Sequence, residues 1–322
     1  MWYGTNRRPA NAANEAAGYS NQRDTVLHYG RAYVHVPKSH VFGTTGSDWW
    51  IIRKIYGVGR PLTLERIEYS SAANFFSELR TQLASRAGAN DSLVYVHGFN
   101  TSFEEAVLRA AQIGFDLKVK GITAAFSWPS AGSITPLSYS ADRASIEASE
   151  PHLEEFLTRL LTESGSARVH VLAHSMGNIG LLRSLDRVSQ TLRNKGLSFG
   201  QLILAAPDVD RDLFVRLATV YPTLSARTTL YTSSHDLALQ VSSVMGNFAR
   251  AGFYPPVTVI NAIDTVRVSG IDMSIIGHDY YAEAEPVLYD IYALLHNNSD
   301  PLTRPRLSAV VENGVRFWDL RP

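Results

Sequence analysis

The sequence predicts an α/β architecture: a mainly parallel central sheet flanked by helices, with antiparallel strands at its N-terminal side. Three observations predict it. From Asp91 onward, short apolar runs bounded by turn residues alternate with segments of helical period. Strands written as continuous apolar runs are typically buried on both faces, which is how a helix-covered parallel sheet reads. Before Asp91 the pattern is the two-residue alternation of half-exposed strands. The chain has 322 residues, 45% hydrophobic and 19% charged, enough to bury a sizeable core in one domain of this kind.

The elements follow in order. Residues 1–25 are polar, rich in Asn and Ala, and read as an extended N-terminal arm; residues 26–322 read as a single domain. Arg31 to Val36 alternates and stops at Pro37, Trp49 to Tyr56 is aromatic and β-branched, and Leu62 to Tyr69 alternates again. Ala72 to Arg86 places Phe75, Phe76, Leu79 and Leu83 on one helical face. Six apolar runs then read as strands: Leu93 to Val96, Ile122 to Phe126, Val169 to Ala173, Leu202 to Ala205, Thr228 to Tyr231 and Val257 to Ile260. Helices are expected over Phe103 to Leu117, Ser140 to Glu163, Ile179 to Lys195, Asp212 to Thr219 and Glu285 to His296. Ligands of such sheets sit beyond the carboxyl ends of the strands, so chemistry is sought just after each apolar run.

Composition excludes several classes. Lys+Arg and Asp+Glu are both 30 and no basic run is present, so no nucleic-acid partner is expected. With no cysteine there is no disulfide, thiolate metal site or cysteine nucleophile. Neither a zinc-ligand spacing nor a glycine-rich phosphate loop is written, so no metal and no cofactor is expected. No run of 18 apolar residues predicts a membrane span. Met1 to Asp24 lacks the apolar core of a signal peptide, so the cytoplasm is the expected compartment. The periplasm or the exterior is the alternative if a leader has been removed.

The strongest chemical signal follows the third apolar run. Ala173-His174-Ser175-Met176-Gly177 is Gly-x-Ser-x-Gly with Ala first, and a helical segment comes next. This is the strand-to-helix elbow of the α/β-hydrolase fold, a sharp turn that lifts a serine hydroxyl above the sheet and needs small residues two before and two after it. Ser175 is the expected nucleophile, and the Met176 amide, at a helix start, is one expected oxyanion donor. The plainer reading of Ser175 is a helix cap. After the first run comes His97-Gly98-Phe99-Asn100, where this fold keeps its other oxyanion donor. The Phe99 amide is expected to fill that role. His97, Gly98, Asn100, Trp128 and His174 are expected to line the substrate pocket, with His97 read as buried and satisfied rather than as a proton-transfer group.

The chain order of the fold is Ser, then an acid, then His. Asp236 follows the run Thr228 to Tyr231 and is the expected acid; Asp208 is the runner-up, and Asp210 and Asp264 also follow apolar runs. After Asp236 only His278 and His296 remain. His296 falls near the end of a helix, so His278 is the expected general base. His235, beside Asp236, reads as structural. The serine is a poor nucleophile alone; His278 takes its proton, and Asp236 fixes the tautomer and stabilises the imidazolium. The segments Pro129 to Pro136 and Asp212 to Ser225 are expected as a pocket wall and a small cap, or as plain surface packing.

The chain resembles a bacterial α/β-hydrolase family catalogued as of unknown function. The likeness runs through Trp2-Tyr3-Gly4-Thr5-Asn6-Arg7, His97-Gly98-Phe99-Asn100, Phe126-Ser127-Trp128-Pro129 and Ala173-His174-Ser175-Met176-Gly177-Asn178. It continues in Ala206-Pro207-Asp208-Val209-Asp210 and Ser234-His235-Asp236-Leu237-Ala238-Leu239. The resemblance implies the α/β-hydrolase fold and an esterase-like or lipase-like activity; Ala173 departs from the usual Gly of the wider superfamily. A small-molecule carboxylic ester is the expected substrate. An amidase, thioesterase or acyltransferase using the same three residues stays open, as does a hydrolase-like scaffold that binds without turnover.

Overall fold

Each apolar run between Leu93 and Tyr231 is a strand in the computed structural model, which describes residues 1–11, 13–14, 17–46, 59–85, 90–132, 135–233, 248–268 and 285–321. These residues group into two compact units, Met1–Val169 and His170–Pro322.

The first unit holds β1 (Trp2–Pro9), β2 (Tyr19–His35), β3 (Thr63–Ser70), β4 (Asp91–Val96) and β5 (Ile122–Ser127), side by side in the order β4-β5-β1-β2-β3. The β4–β5 and β5–β1 pairs are parallel; β1–β2 and β2–β3 are antiparallel. The expected arm is extended, but as sheet: Trp2 lies between Ala124 and Arg31 in register, and the first six residues of β1 are buried. The reason is aromatic. Trp2 meets the edge of Phe75 at 5.1 Å and Tyr3 that of Phe103 at 5.0 Å, contacts that outweigh the polar composition of the stretch. The segment Trp49 to Tyr56 lies outside the described residues.

Three helices cover these strands: α1 (Ala72–Ala84), α2 (Phe103–Asp116) and α3 (Pro136–Glu163). Ser71 caps α1, and Ser102 with Glu105 forms a reciprocal capping box on α2. The third helix starts earlier than its periodicity suggests, because Thr135 and Ser138 make a second capping box ahead of Ser140. Gly4 shows how closely helix and sheet approach. A Cβ there would stand 2.6 Å from the Phe156 ring of α3. Gly4→Ala is therefore expected to cost about 1–3 kcal/mol, by overpacking; an unchanged urea midpoint would contradict that contact.

The second unit holds β6 (Arg168–His174, beginning just before the boundary), β7 (Phe199–Ala205), β8 (Ser225–Ser233), β9 (Asp264–Val268), β10 (Leu307–Glu312) and β11 (Val315–Leu320). Their order is β6-β7-β8-β9-β11-β10, parallel throughout except for the β10–β11 hairpin. Its helices are α4 (Gly177–Asn194), α5 (Arg211–Leu217), α6 (Tyr221–Leu224) and α7 (Glu285–Asn297). The fold class expected from the sequence is thus observed: parallel pairing dominates, with antiparallel strands at the ends.

One expected strand moves. Val257 to Ile260 is irregular, and the strand is Asp264–Val268. The sequence hides it because Arg267 interrupts the apolar pattern. Its charge is met by Asp319 at 2.8 Å and Glu312 at 2.7 Å, both on the hairpin beside it. That hairpin was not expected, although Asn313-Gly314, with φ of 52° and 77°, is the residue pair a tight two-residue turn demands.

Candidate active site

Ser175 begins where β6 ends, and its backbone is left-handed, with φ of 48°. Single non-glycine residues in that region carry on the order of 1 kcal/mol of strain and persist only where their surroundings over-determine them. Here they do. The Ser175 N–H donates to Ala205 O at 2.9 Å, while Ser175 O accepts from Asn178 N at 3.1 Å and Asp208 N at 3.2 Å. The Asn178 side-chain amide, fully buried, donates to Ala173 O at 3.0 Å and to Ser175 O at 3.1 Å. Ser175 is 6% exposed. The plainer reading, a capping serine, does not describe it: the N-cap position of α4 is Met176, with no side-chain cap bond. Met176 and its amide therefore open the helix, where an N-terminus favours negative charge.

The loop after β7 braces this turn. Ala206 is also left-handed, with φ of 43°. Gly252 N donates to Pro207 O at 2.9 Å, and Gly252 has no room for a side chain, since a Cβ would lie 2.3 Å from Ala206 C. Asp208 is buried and ion-paired with Arg250 at 3.4 Å. Asp210 accepts from Leu213 N at 2.9 Å and so caps α5. Asp264 pairs with Arg227 at 2.6 Å. Each competing acid thus has a structural occupation. His296 lies in the last turn of α7 against Tyr292, with ring centroids 4.1 Å apart.

Asp236 and His278, together with His235, fall outside the described residues. Their points of departure are described. Asp236 comes three residues after Ser233, the last residue of β8, and His278 ten residues after Val268, the last of β9. Ser233 and Val268 are register partners, as are His174 with Ala205 and Ala205 with Tyr231. The last described residues before Ser175, Asp236 and His278 thus end β6, β8 and β9, parallel strands of which β8 and β9 are paired directly and β6 and β8 are separated by β7. His174 is buried at the end of β6.

In the first unit, the His97–Asn100 loop follows β4. Gly98 is buried, and Phe99 and Asn100 are partly exposed. Asn100 is left-handed, with φ of 53°. His97 and Trp128 are fully buried and stacked, with centroids 4.8 Å apart and planes 12° from parallel, so they stand behind the loop. The Trp128 indole N–H donates to His97 O at 2.8 Å, and the two His97 ring nitrogens face Gly98 O and Trp128 O at 2.8 and 3.1 Å. The Phe99 ring meets Tyr139 edge-on at 5.6 Å.

The expected cap over Asp212 to Ser225 is α5, a 3-10 turn at Ala218–Val220, and α6. Phe214 and Tyr221 are fully buried and the segment packs on α4, which favours plain packing. Among the described residues no group of His, Asp or Glu is arranged to hold a metal ion, and no helix is long and apolar enough to cross a membrane. Sequence spacing assigns no role to Asn178, Arg7 or Asp142. Asn178 was visible beside the elbow motif, whereas nothing in spacing singles out Asp142.

A family model described as alpha/beta hydrolase of unknown function (DUF900) matches residues 71–297. No curated protein sequence matches. Among solved structures, the chain is similar to an uncharacterized protein from Bacillus cereus, at 13% identity over 69% of this chain and 68% of that one, with a TM-score of 0.41. It is similar to a predicted CIB-like hydrolase from Thermoplasma acidophilum, at 15% identity over 66% and 88%, with a TM-score of 0.38. A dienelactone hydrolase from Anabaena variabilis gives 13% identity over 65% and 88%, with a TM-score of 0.40.

Proposed function

The chain belongs to the family of alpha/beta hydrolases of unknown function, and from that premise we propose that it is a serine hydrolase cleaving carboxylic esters through an acyl-enzyme on Ser175. One observation carries the reading: Ser175 holds a strained left-handed backbone between a buried parallel strand and a helix N-terminus. A residue used only for packing or capping has no need of that strain, and outliers of this kind cluster at active sites. We take the family match, which spans residues 71–297 and hence parts of both units, as support for one catalytic domain.

His278 is the proposed general base and Asp236 the residue that orients it, by chain order and by their departure from the paired ends of β8 and β9. The engagement of Asp208 with Arg250 favours Asp236 over the runner-up. By motif position, the amides of Phe99 and Met176 are the proposed oxyanion donors, each typically worth about 3 kcal/mol of transition-state stabilisation. Attack on the ester carbonyl transfers the Ser175 proton to His278, which returns it to the departing alcohol; water then releases the acyl group by the reverse sequence.

A fluorophosphonate probe tests the nucleophile. Wild-type protein is expected to be labelled at Ser175 and Ser175→Ala to remain unlabelled. A folded wild type that resists the probe supports the non-catalytic scaffold instead. A panel of p-nitrophenyl esters, anilides and thioesters tests the leaving group. The esters are expected to turn over fastest; faster anilides or thioesters reassign the activity while keeping the same three residues.

A further inference from the structure

We propose that Arg7 and Asp142, joined through Ser130, are positioning residues that hold the loop His97–Thr101 in the shape that presents its Phe99 amide; this rests on reading that loop as the oxyanion loop. Three elements of the first unit meet behind it. Arg7 comes from β1, Ser130 from the segment after β5, and Asp142 from the second turn of α3. Together they grip consecutive backbone groups of the loop. Asp142 accepts from Asn100 N at 3.2 Å, Ser130 Oγ accepts from Thr101 N at 3.0 Å, and the Arg7 guanidinium donates to Thr101 O at 2.7 Å. The gripped stretch includes Asn100, whose left-handed φ of 53° would relax if the loop were free.

The charges are placed unlike those of a stabilising ion pair. Arg7 is fully buried, and its remaining donors go to neutral acceptors: Ser127 Oγ at 2.9 Å, Asn21 Oδ1 at 3.1 Å and Ser130 O at 3.3 Å. Asp142, 1% exposed, takes Ala131 N at 2.6 Å and the Ser130 hydroxyl. Among the described residues no carboxylate lies within ion-pair distance of Arg7 and no cation within that distance of Asp142. Ser130 stands between them, its carbonyl taking one charge and its hydroxyl answering the other. Burial pulls the guanidinium below its ordinary value while Asp142, and then Glu105, works the other way; burial pushes the Asp142 carboxyl up against the hydrogen bonds it accepts. Burying two charges without direct contact is costly, and apolar residues of similar volume would stabilise a fold as well or better. What the arrangement does provide is a loop backbone fixed to a strand and a helix, and an oxyanion donor acts only if it is preset to the position where charge develops.

The test uses the full chain with Asp142→Asn and Ser130→Ala, measuring the second-order rate of fluorophosphonate labelling at Ser175, kcat and KM for a p-nitrophenyl ester, and thermal melting. Misplacement by about 1 Å costs on the order of 100-fold in rate. The labelling rate and kcat are therefore expected to fall about 10- to 100-fold with KM nearly unchanged, in protein that still melts cooperatively. The double variant is expected to lose less than the product of the single losses, because both act on one loop. A folded Asp142→Asn protein with wild-type kcat and labelling rate overturns the proposal; if that variant does not fold, Ser130→Ala decides by the same readouts. A purely structural brace would lower the melting temperature and leave kcat alone, which also overturns it. An unlabelled wild type overturns the hydrolase reading and this proposal with it, whereas a labelled wild type beside an unaffected variant overturns this proposal alone.

Discussion

Replacing Ser175 by alanine is expected to lower kcat/KM for an activated ester by at least about 10⁴-fold, the loss that follows removal of a serine nucleophile whose partners stay in place. The stability effect separates two substitutions that are equally inactive. Alanine keeps a Cβ at a φ of 48°, whereas glycine visits that region freely. Ser175→Gly is therefore expected to exceed Ser175→Ala in stability by about 1 kcal/mol, the size of the left-handed penalty less the extra freedom glycine gives the unfolded chain. Urea melts of the two inactive proteins measure it. If glycine melts below alanine, the turn is not strained, and the strained backbone no longer supports Ser175 as the nucleophile.

The second large effect concerns the acid. Asp236→Asn is expected to lower kcat by about 10⁴-fold, because an amide there holds the imidazole in the wrong tautomer. Asp208→Asn should behave differently. It removes the charge that Asp208 sets 3.4 Å from the buried Arg250, at a cost of about 3 kcal/mol in stability, with kcat reduced less than tenfold in the protein that remains folded. Steady-state kinetics beside urea denaturation distinguish the two. The opposite pattern, with Asp236→Asn active and Asp208→Asn folded but inactive, would move the acid to the loop after β7. The geometry behind the expectation is the Ser233–Val268 pairing, which joins the last described residues before Asp236 and His278.

The elbow was legible because its requirements are local. A buried strand, small flanking residues and a helix start lie within ten residues, and no distant contact is needed to see them. The parallel strands were legible for the same reason, since burial on both faces writes an unbroken apolar run. What failed was whatever a distant partner decides. Arg267 looks unsuited to an inner strand until Asp319 and Glu312 are brought beside it. Trp2 and Tyr3 look like a polar arm until Phe75 and Phe103 cover them. The bracing role of Asp142 depends on three backbone and hydroxyl donors that are distant or unremarkable in sequence, so no spacing rule points to it. Asp236 and His278 follow from chain order, from a place after an apolar run and from the scarcity of later histidines, and they lie beyond the described residues.

The Asn313-Gly314 hairpin has an effect away from its own turn. By pairing β11 alongside β9, it makes the strand that precedes His278 an interior one, with neighbours on both flanks. Among the described residues the edge position passes to β10, a six-residue strand whose last residue, Glu312, is tied down by Arg267 and Tyr254. Short and charge-tethered borders of this sort resist recruiting a strand from another molecule. Among the described residues this border thereby stands two strands from β9 in the sheet order, and β9 itself is closed to strand addition.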